Sequence, residues 1–176
     1  MYIRHATRLD LEDVADACHL LHEMENCPVT GIGAERGRVL EHLLHLSLSQ
    51  TGIVLVAKEK RAFLGCVVLE LDVIPQPGSA LASCLFTDPS APLRTAILLM
   101  TAAADVCRRL GRSSVWMTAA TGKNSRRKTY ERMGFRDMEM SIDNAHLFKA
   151  SLADISAALS RRSGNLKQWL QGKEQI

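Results

Sequence analysis

SSVWMTAATGKNSRRKTYERMGF, residues Ser113 to Phe135, is the stretch whose reading decides the fold. It divides into a buried strand from Val115 to Ala119, a Gly-Lys-Asn loop, a short basic helix, and Tyr130-Glu-Arg-Met-Gly134-Phe135. The last piece is a helix exit. Gly134 supplies the left-handed conformation that closes a helix, and Phe135 opens the next strand pointing into the core.

N-terminal to this stretch, a helix from about Leu93 to Leu110 carries Ala96, Leu99, Ala103, Val106 and Leu110 as its apolar stripe, and Gly111 stops it. Strand, helix, strand in this order implies a parallel crossover that puts the Val115 strand beside the Leu81 strand. Three earlier strands form a meander: Ile53–Lys58, Ala62–Val73 and Ser79–Thr87, with turns at Glu59-Lys-Arg61 and Pro75-Gln-Pro-Gly78. On the second of these, period-two alternation gives Glu70 and Asp72 a common face. The chain opens with a strand at Tyr2 and two helices, Asp10–Glu23 (stripe Leu11, Val14, Cys18, Leu21) and Ala34–Leu48 (stripe Val39, Leu43, Leu46), around an Asn26–Gly33 loop. Beyond Phe135 come strands Arg136–Ile142 and Ala145–Ala150, turning at Asp143-Asn144. Ser151-Leu-Ala-Asp154 is a capping box that opens one more helix.

The chain has 176 residues, 47% of them apolar, enough for one domain with a buried core. The net charge of +3 allows an anionic ligand without requiring nucleic acid. Five scattered cysteines, mostly within apolar runs, indicate reduced thiols and a cytoplasmic location, not a disulfide framework. No apolar run reaches membrane-spanning length, and the charged N-terminus is no signal peptide.

A strand, an Asn-containing loop and a helix ending Tyr-x-x-x-Gly-Phe resemble the GCN5-related N-acetyltransferase (GNAT) family. The opening Ile3-Arg4-x-Ala6-Thr7-x-x-Asp10-Leu11 and Gly65 are similar to it as well. The resemblance implies an α/β fold over residues 1–151, a mixed, mostly antiparallel sheet flanked by helices; residues 152–176, which the family does not require, read as a C-terminal helical extension. It implies an N-acyltransferase that moves an acetyl group from acetyl-CoA to a primary amine by direct attack, without metal. Tyr130 would stand at the sulfur as general acid, and Asn124 would touch the cofactor arm. The strand end at Leu85, Phe86 and Thr87 would bind cofactor, with a backbone N–H at a bulge near Leu85 or Phe86 polarising the carbonyl.

Two features depart from the family pattern. The phosphate loop, Asp88-Pro-Ser-Ala-Pro-Leu-Arg-Thr-Ala-Ile97, lacks the expected glycines, so the Arg94 guanidinium and Thr95 hydroxyl are the candidate substitutes. The third meander strand has no carboxylate, which leaves Glu70 as the nearest base, with Asp72 behind it, although each by itself reads more simply as facing solvent. Arg127, with Lys123, Arg126 and Lys128, faces either CoA phosphates or solvent.

The competing class is a GNAT-fold structural or interaction protein that has lost CoA binding. His19-x-x-His22 and His42-x-x-His45 have metal-ligand spacing on the first two helices, but lie off the apolar stripes and read more simply as solvent-facing. The 123–128 basic cluster lacks the aromatic interleaving of a nucleic-acid surface. The acceptor is a small-molecule or protein amine. The last helix, with Ile155, Leu159, Leu166, Trp169 and Leu170, is suited to cover its own sheet or to join a homodimer, the former being simpler.

Overall fold

The computed structural model describes residues 1–25, 35–73, 77–92, 94–120, 124–142 and 145–160. The Asn26–Gly33 loop, Leu93, Lys123, the Asp143-Asn144 turn and the tail bearing Leu166, Trp169 and Leu170 lie outside these residues, and with them the expected dimer contact. The elements are β1 (Tyr2–His5), α1 (Leu11–Glu25), α2 (Arg36–Ser49), β2 (Gly52–Glu59), β3 (Ala62–Leu71), β4 (Ser79–Thr87), α3 (Thr95–Arg109), β5 (Ser114–Ala120), α4 (Asn124–Arg132), β6 (Arg136–Ile142), β7 (Ala145–Ser151) and α5 (Leu152–Ser160). They form the expected α/β arrangement around one seven-stranded sheet, ordered β1-β2-β3-β4-β5-β7-β6. Every pair is antiparallel except β4 and β5, which the α3 crossover makes parallel.

The two faces of the sheet bury different helices because strand side chains alternate. On one face, Val54, Val56, Cys66, Val68 and Cys84 pack under Val14, Cys18 and Leu21 of α1 and Val39, Leu43 and Leu46 of α2. On the other, Leu55, Val67, Leu69, Ala80, Ala82, Met117 and Phe148 pack under Leu99, Met100 and Ala103 of α3 and Ile155 and Leu159 of α5. The expected stripe on α3 is therefore rotated. Leu99 and Ala103 are buried as read, but Leu110 is exposed, and Thr95, Leu98, Met100, Ala104 and Cys107 complete the buried face. At the start of α5 the N-cap half of the expected box forms, Asp154 N–H donating to Ser151 Oγ at 3.0 Å, while Ser151 Oγ–H donates to Asp154 Oδ2 at 2.9 Å.

The chain entrance is fixed by a buried carboxylate. Asp10 accepts hydrogen bonds from both Arg4 guanidinium nitrogens, from Lys58 Nζ at 2.9 Å, and from the Thr7 amide and hydroxyl. Burial alone would raise its pKa. The bonds from Arg4, Lys58 and Thr7 outweigh that and hold it well below the ordinary carboxylate range.

Two details of the meander control the site. Val68 pairs with Cys84 but Leu69 pairs with Ala82, so Ser83 is an extra residue, a bulge in β4. The bulge expected near Leu85 or Phe86 thus lies upstream of both. Secondly, Asp72 does not continue β3 on the Glu70 face. It adopts φ 61°, leaves the strand, and pairs with Arg112.

Candidate active site

β4 and β5 are paired from Ser79–Ser114 to Ala82–Met117 and then separate. β4 nevertheless runs on to Thr87 and β5 to Ala120. Two parallel strands that part while both continue leave a gap whose walls carry unpaired peptide groups, since the amides of a strand point alternately to its two edges. Ser83, the bulge residue, stands where the gap begins. Leu85, Phe86 and Thr87 line it further out; all three are half-buried, and they pair with Val67, Cys66 and Gly65 of β3 on their other side.

Tyr130 enters this gap from α4. Its ring is buried, edge-on to Phe148 at 5.4 Å and tilted against Phe135 at 6.2 Å. Its hydroxyl donates to the Thr118 carbonyl at 3.3 Å. Thr118 is the residue immediately past the last rung joining β5 to β4. The packing of the ring therefore delivers a phenolic O–H to the wall of the gap. The Tyr-x-x-x-Gly-Phe ending does what the sequence indicates: Gly134 takes φ 94°, and the Phe135 amide donates back to the Tyr130 carbonyl at 3.0 Å.

On the α1–α2 face, polar atoms are buried at the foot of the gap. Glu70 is 3% exposed, not solvent-facing as each carboxylate was expected to be. Across the sheet its row reads Glu70 on β3, Leu81 on β4, Trp116 on β5 and Lys149 on β7, and paired side chains share a face. His42, expected to face solvent, is half-buried with Nε2 3.4 Å from Glu70 Oε1. Those two atoms, Ser83 Oγ and Trp116 Nε1 are all buried without a hydrogen-bond partner among the described residues. Lys149 Nζ lies 5.1 Å from the centre of the Trp116 ring. Orphaned buried polar groups are rare in folded proteins and collect where a ligand or a proton is handled. Ser83, His42 and Trp116 were missed by sequence reasoning, which carries no mark of a bulge or of the depth at which α2 sits.

The described thiols, Cys18, Cys66, Cys84 and Cys107, are all buried and free of disulfides. Cys66 and Cys84, hydrogen-bonded to Cys18 and fully enclosed, have pKa values held well above the ordinary thiol range and stay neutral. Burial pushes Cys107 up to about 11. Among the described residues, no group of three or more His, Cys, Asp or Glu is placed to hold a metal ion.

The entrance to α3 differs from what its residues promised. Thr95 is fully buried, its hydroxyl donating to Met1 Sδ at 3.4 Å and its amide to the Pro92 carbonyl at 2.8 Å. Its hydroxyl is therefore turned away from any phosphate, which corrects the expectation for it. Arg94 is exposed at the N-cap and makes no side-chain cap bond. The Leu98 amide reaches the Arg94 carbonyl at 3.0 Å, so α3 begins its own bonding there, and the Ala96 and Ile97 amides have no acceptor within the helix among the described residues. Arg127 is exposed and engaged by Glu131 at 3.0 Å and Asp137 at 3.3 Å, which places it in an acidic surface pair instead of leaving it open to phosphate. Asn124 opens α4; its side chain is not among those described.

No protein-family model matches the chain, and no curated protein matches it in sequence. Solved structures do match in three dimensions. The PaiA N-acetyltransferase from Thermoplasma acidophilum, in complex with coenzyme A, superposes with a TM-score of 0.67 at 13% identity over 85% of this chain and 98% of that one. A ribosomal-protein-alanine N-acetyltransferase from Brucella melitensis gives 0.67 at 14% identity, covering 86% and 99%. A mutant form of the spermidine N-acetyltransferase SpeG from Vibrio cholerae gives 0.65 at 16%, covering 92% and 98%. The chain therefore has the GNAT fold over nearly the whole length of these structures.

Proposed function

We propose that this protein is an acetyl-CoA-dependent N-acetyltransferase acting on a primary amine. The observation that carries the reading is the Tyr130 hydroxyl, held by a buried ring on the wall of a gap between two parallel strands. Coenzyme A in the complex of the similar Thermoplasma acidophilum protein supports the assignment of the cosubstrate.

The unpaired β4 edge from Ser83 to Thr87 is suited to take the amides of the cofactor arm as an added strand would. The Ala96 and Ile97 amides, with the Arg94 guanidinium, would hold the diphosphate at the start of α3. That arrangement replaces a glycine loop by a helix terminus and one guanidinium. Glu70 takes the proton of the acceptor ammonium, and the free amine attacks the thioester carbonyl. The amide at the Ser83 bulge stabilises the oxyanion. Collapse breaks the carbon–sulfur bond, Tyr130 protonates the departing thiolate and recovers a proton as the nitrogen loses its second one, giving the N-acetyl amine and free coenzyme A.

The test is release of coenzyme A thiol from acetyl-CoA with primary amines, spermidine and an alanine-terminated peptide among them, with the N-acetyl product identified by mass. Tyr130→Phe is expected to lower kcat by about a hundredfold, with KM for acetyl-CoA unchanged. An unaltered rate in that variant removes Tyr130 from the mechanism.

A further inference from the structure

α2 lies unusually close to the sheet at one point. A Cβ placed on Gly52 would stand 2.9 Å from Leu46 Cβ and 2.9 Å from Leu46 Cδ2, so the space a side chain would need on β2 is filled by α2. Gly52 is paired with Glu70 across the strand boundary. His42 is four residues before Leu46, hence one turn along the same helical face. The missing side chain at Gly52 thereby lets α2 settle until His42 meets Glu70.

The meeting is close but incomplete in bonding. His42 Nε2 and Glu70 Oε1 are 3.4 Å apart, each is buried, and neither makes a hydrogen bond among the described residues. A buried carboxylate oxygen and ring nitrogen left unsatisfied cost stability, so a purely structural clamp would have closed on a bonded geometry. Contacts of catalytic groups, by contrast, are commonly long in the free enzyme and tighten when substrate arrives. The two ends of the pair also differ: Glu70 is 3% exposed and His42 25%, so His42 connects an enclosed carboxylate to bulk water.

We propose that His42 is the positioning residue of the base: it orients the Glu70 carboxylate and passes the acceptor's proton from it to solvent. This rests on the acyl-transfer reading above. The proton leaves the acceptor ammonium for Glu70 Oε1, moves to His42 Nε2, and is released at the exposed edge of the imidazole. No other reactant is consumed. The groups facing His42 agree with the role. From α1 comes the Cys18 thiol, with Cys66 of β3 and Cys84 of β4 behind it, all three buried. Glu41 and His45 on α2 itself are exposed, and β2 presents only Gly52 opposite Glu70.

The experiment is the pH dependence of kcat for wild type, His42→Gln and Glu70→Gln, with spermidine and the alanine-terminated peptide as probes and melting temperatures recorded in parallel. His42→Gln is expected to lower kcat by about tenfold or more, leave KM for acetyl-CoA alone, and move the acidic limb of the profile by about half a pH unit or more. Added imidazole is expected to restore part of the rate of His42→Ala, whose shortened side chain leaves a half-exposed space. An unchanged limb with wild-type kcat, or a loss equal at every pH that imidazole does not repair, overturns the proposal while leaving acetyl transfer intact. Absence of transfer by the wild type to every amine tried overturns both.

Discussion

Gly65 ties the shape of the gap to a single hydrogen atom. It adopts φ 154°, and a Cβ there would lie 2.4 Å from the Phe86 carbonyl oxygen and 3.1 Å from Thr87 Cα. Both neighbours are backbone of the β4 edge, so no side-chain rotation relieves the clash. Gly65→Ala is expected to cost about 3 kcal/mol in chemical denaturation and to weaken acetyl-CoA binding, because Phe86 and Thr87 must move. Unchanged stability and affinity would mean that this edge shifts freely. Asp10 governs a different property at the same scale. Its pKa is depressed in the folded state, so its stabilisation is complete above the unfolded carboxylate value and drains as pH falls below about 4. Asp10→Asn is expected to cost about 2 kcal/mol near neutrality. It should also flatten the fall in melting temperature below about pH 4. Parallel acid profiles for the two proteins would contradict the assignment.

Among the elements, α5 joins the end of α4 to the core beneath the sheet. A Cβ on Gly134 would lie 2.7 Å from the Asp154 carbonyl oxygen, so the turn that ends α4 is pressed against the first turn of α5. Ile155 is fully buried beside the sheet. Ile155→Ala is expected to cost about 3 kcal/mol by urea denaturation, and a loss under about 1 kcal/mol would make α5 peripheral. The elements also show what the sequence can carry. The order of strands and helices up to β7, the parallel crossover, the Tyr130–Phe135 ending and the Ser151–Asp154 box were legible because each rests on local period or capping chemistry. The β4 bulge was not: Ser79 to Thr87 is a run of small and apolar residues in which an inserted residue breaks no visible alternation. Four consecutive large apolar residues, Ile97, Leu98, Leu99 and Met100, likewise left the phase of α3 open. Glu70 and His42 looked solvent-facing because their burial depends on how closely α2 approaches Gly52, a tertiary property with no local signature.

For the whole molecule, the proposed site draws on three independently built pieces. The α4 exit supplies Tyr130, the β4 bulge supplies Ser83 and its amide, and the close seating of α2 supplies the Glu70–His42 pair. None of these depends on the glycine loop that the start of α3 lacks, so the account stands on whether that entrance still accepts a nucleotide diphosphate. The most direct measurement is thermal unfolding of the full chain against rising acetyl-CoA. Binding only to the folded state adds about 2.7 kcal/mol at a hundredfold excess over Kd, about 5–10 °C for a chain of this length. The account predicts a melting temperature that climbs with the logarithm of acetyl-CoA concentration, and less steeply in Arg94→Ala. A melting temperature that stays flat to millimolar acetyl-CoA would contradict it.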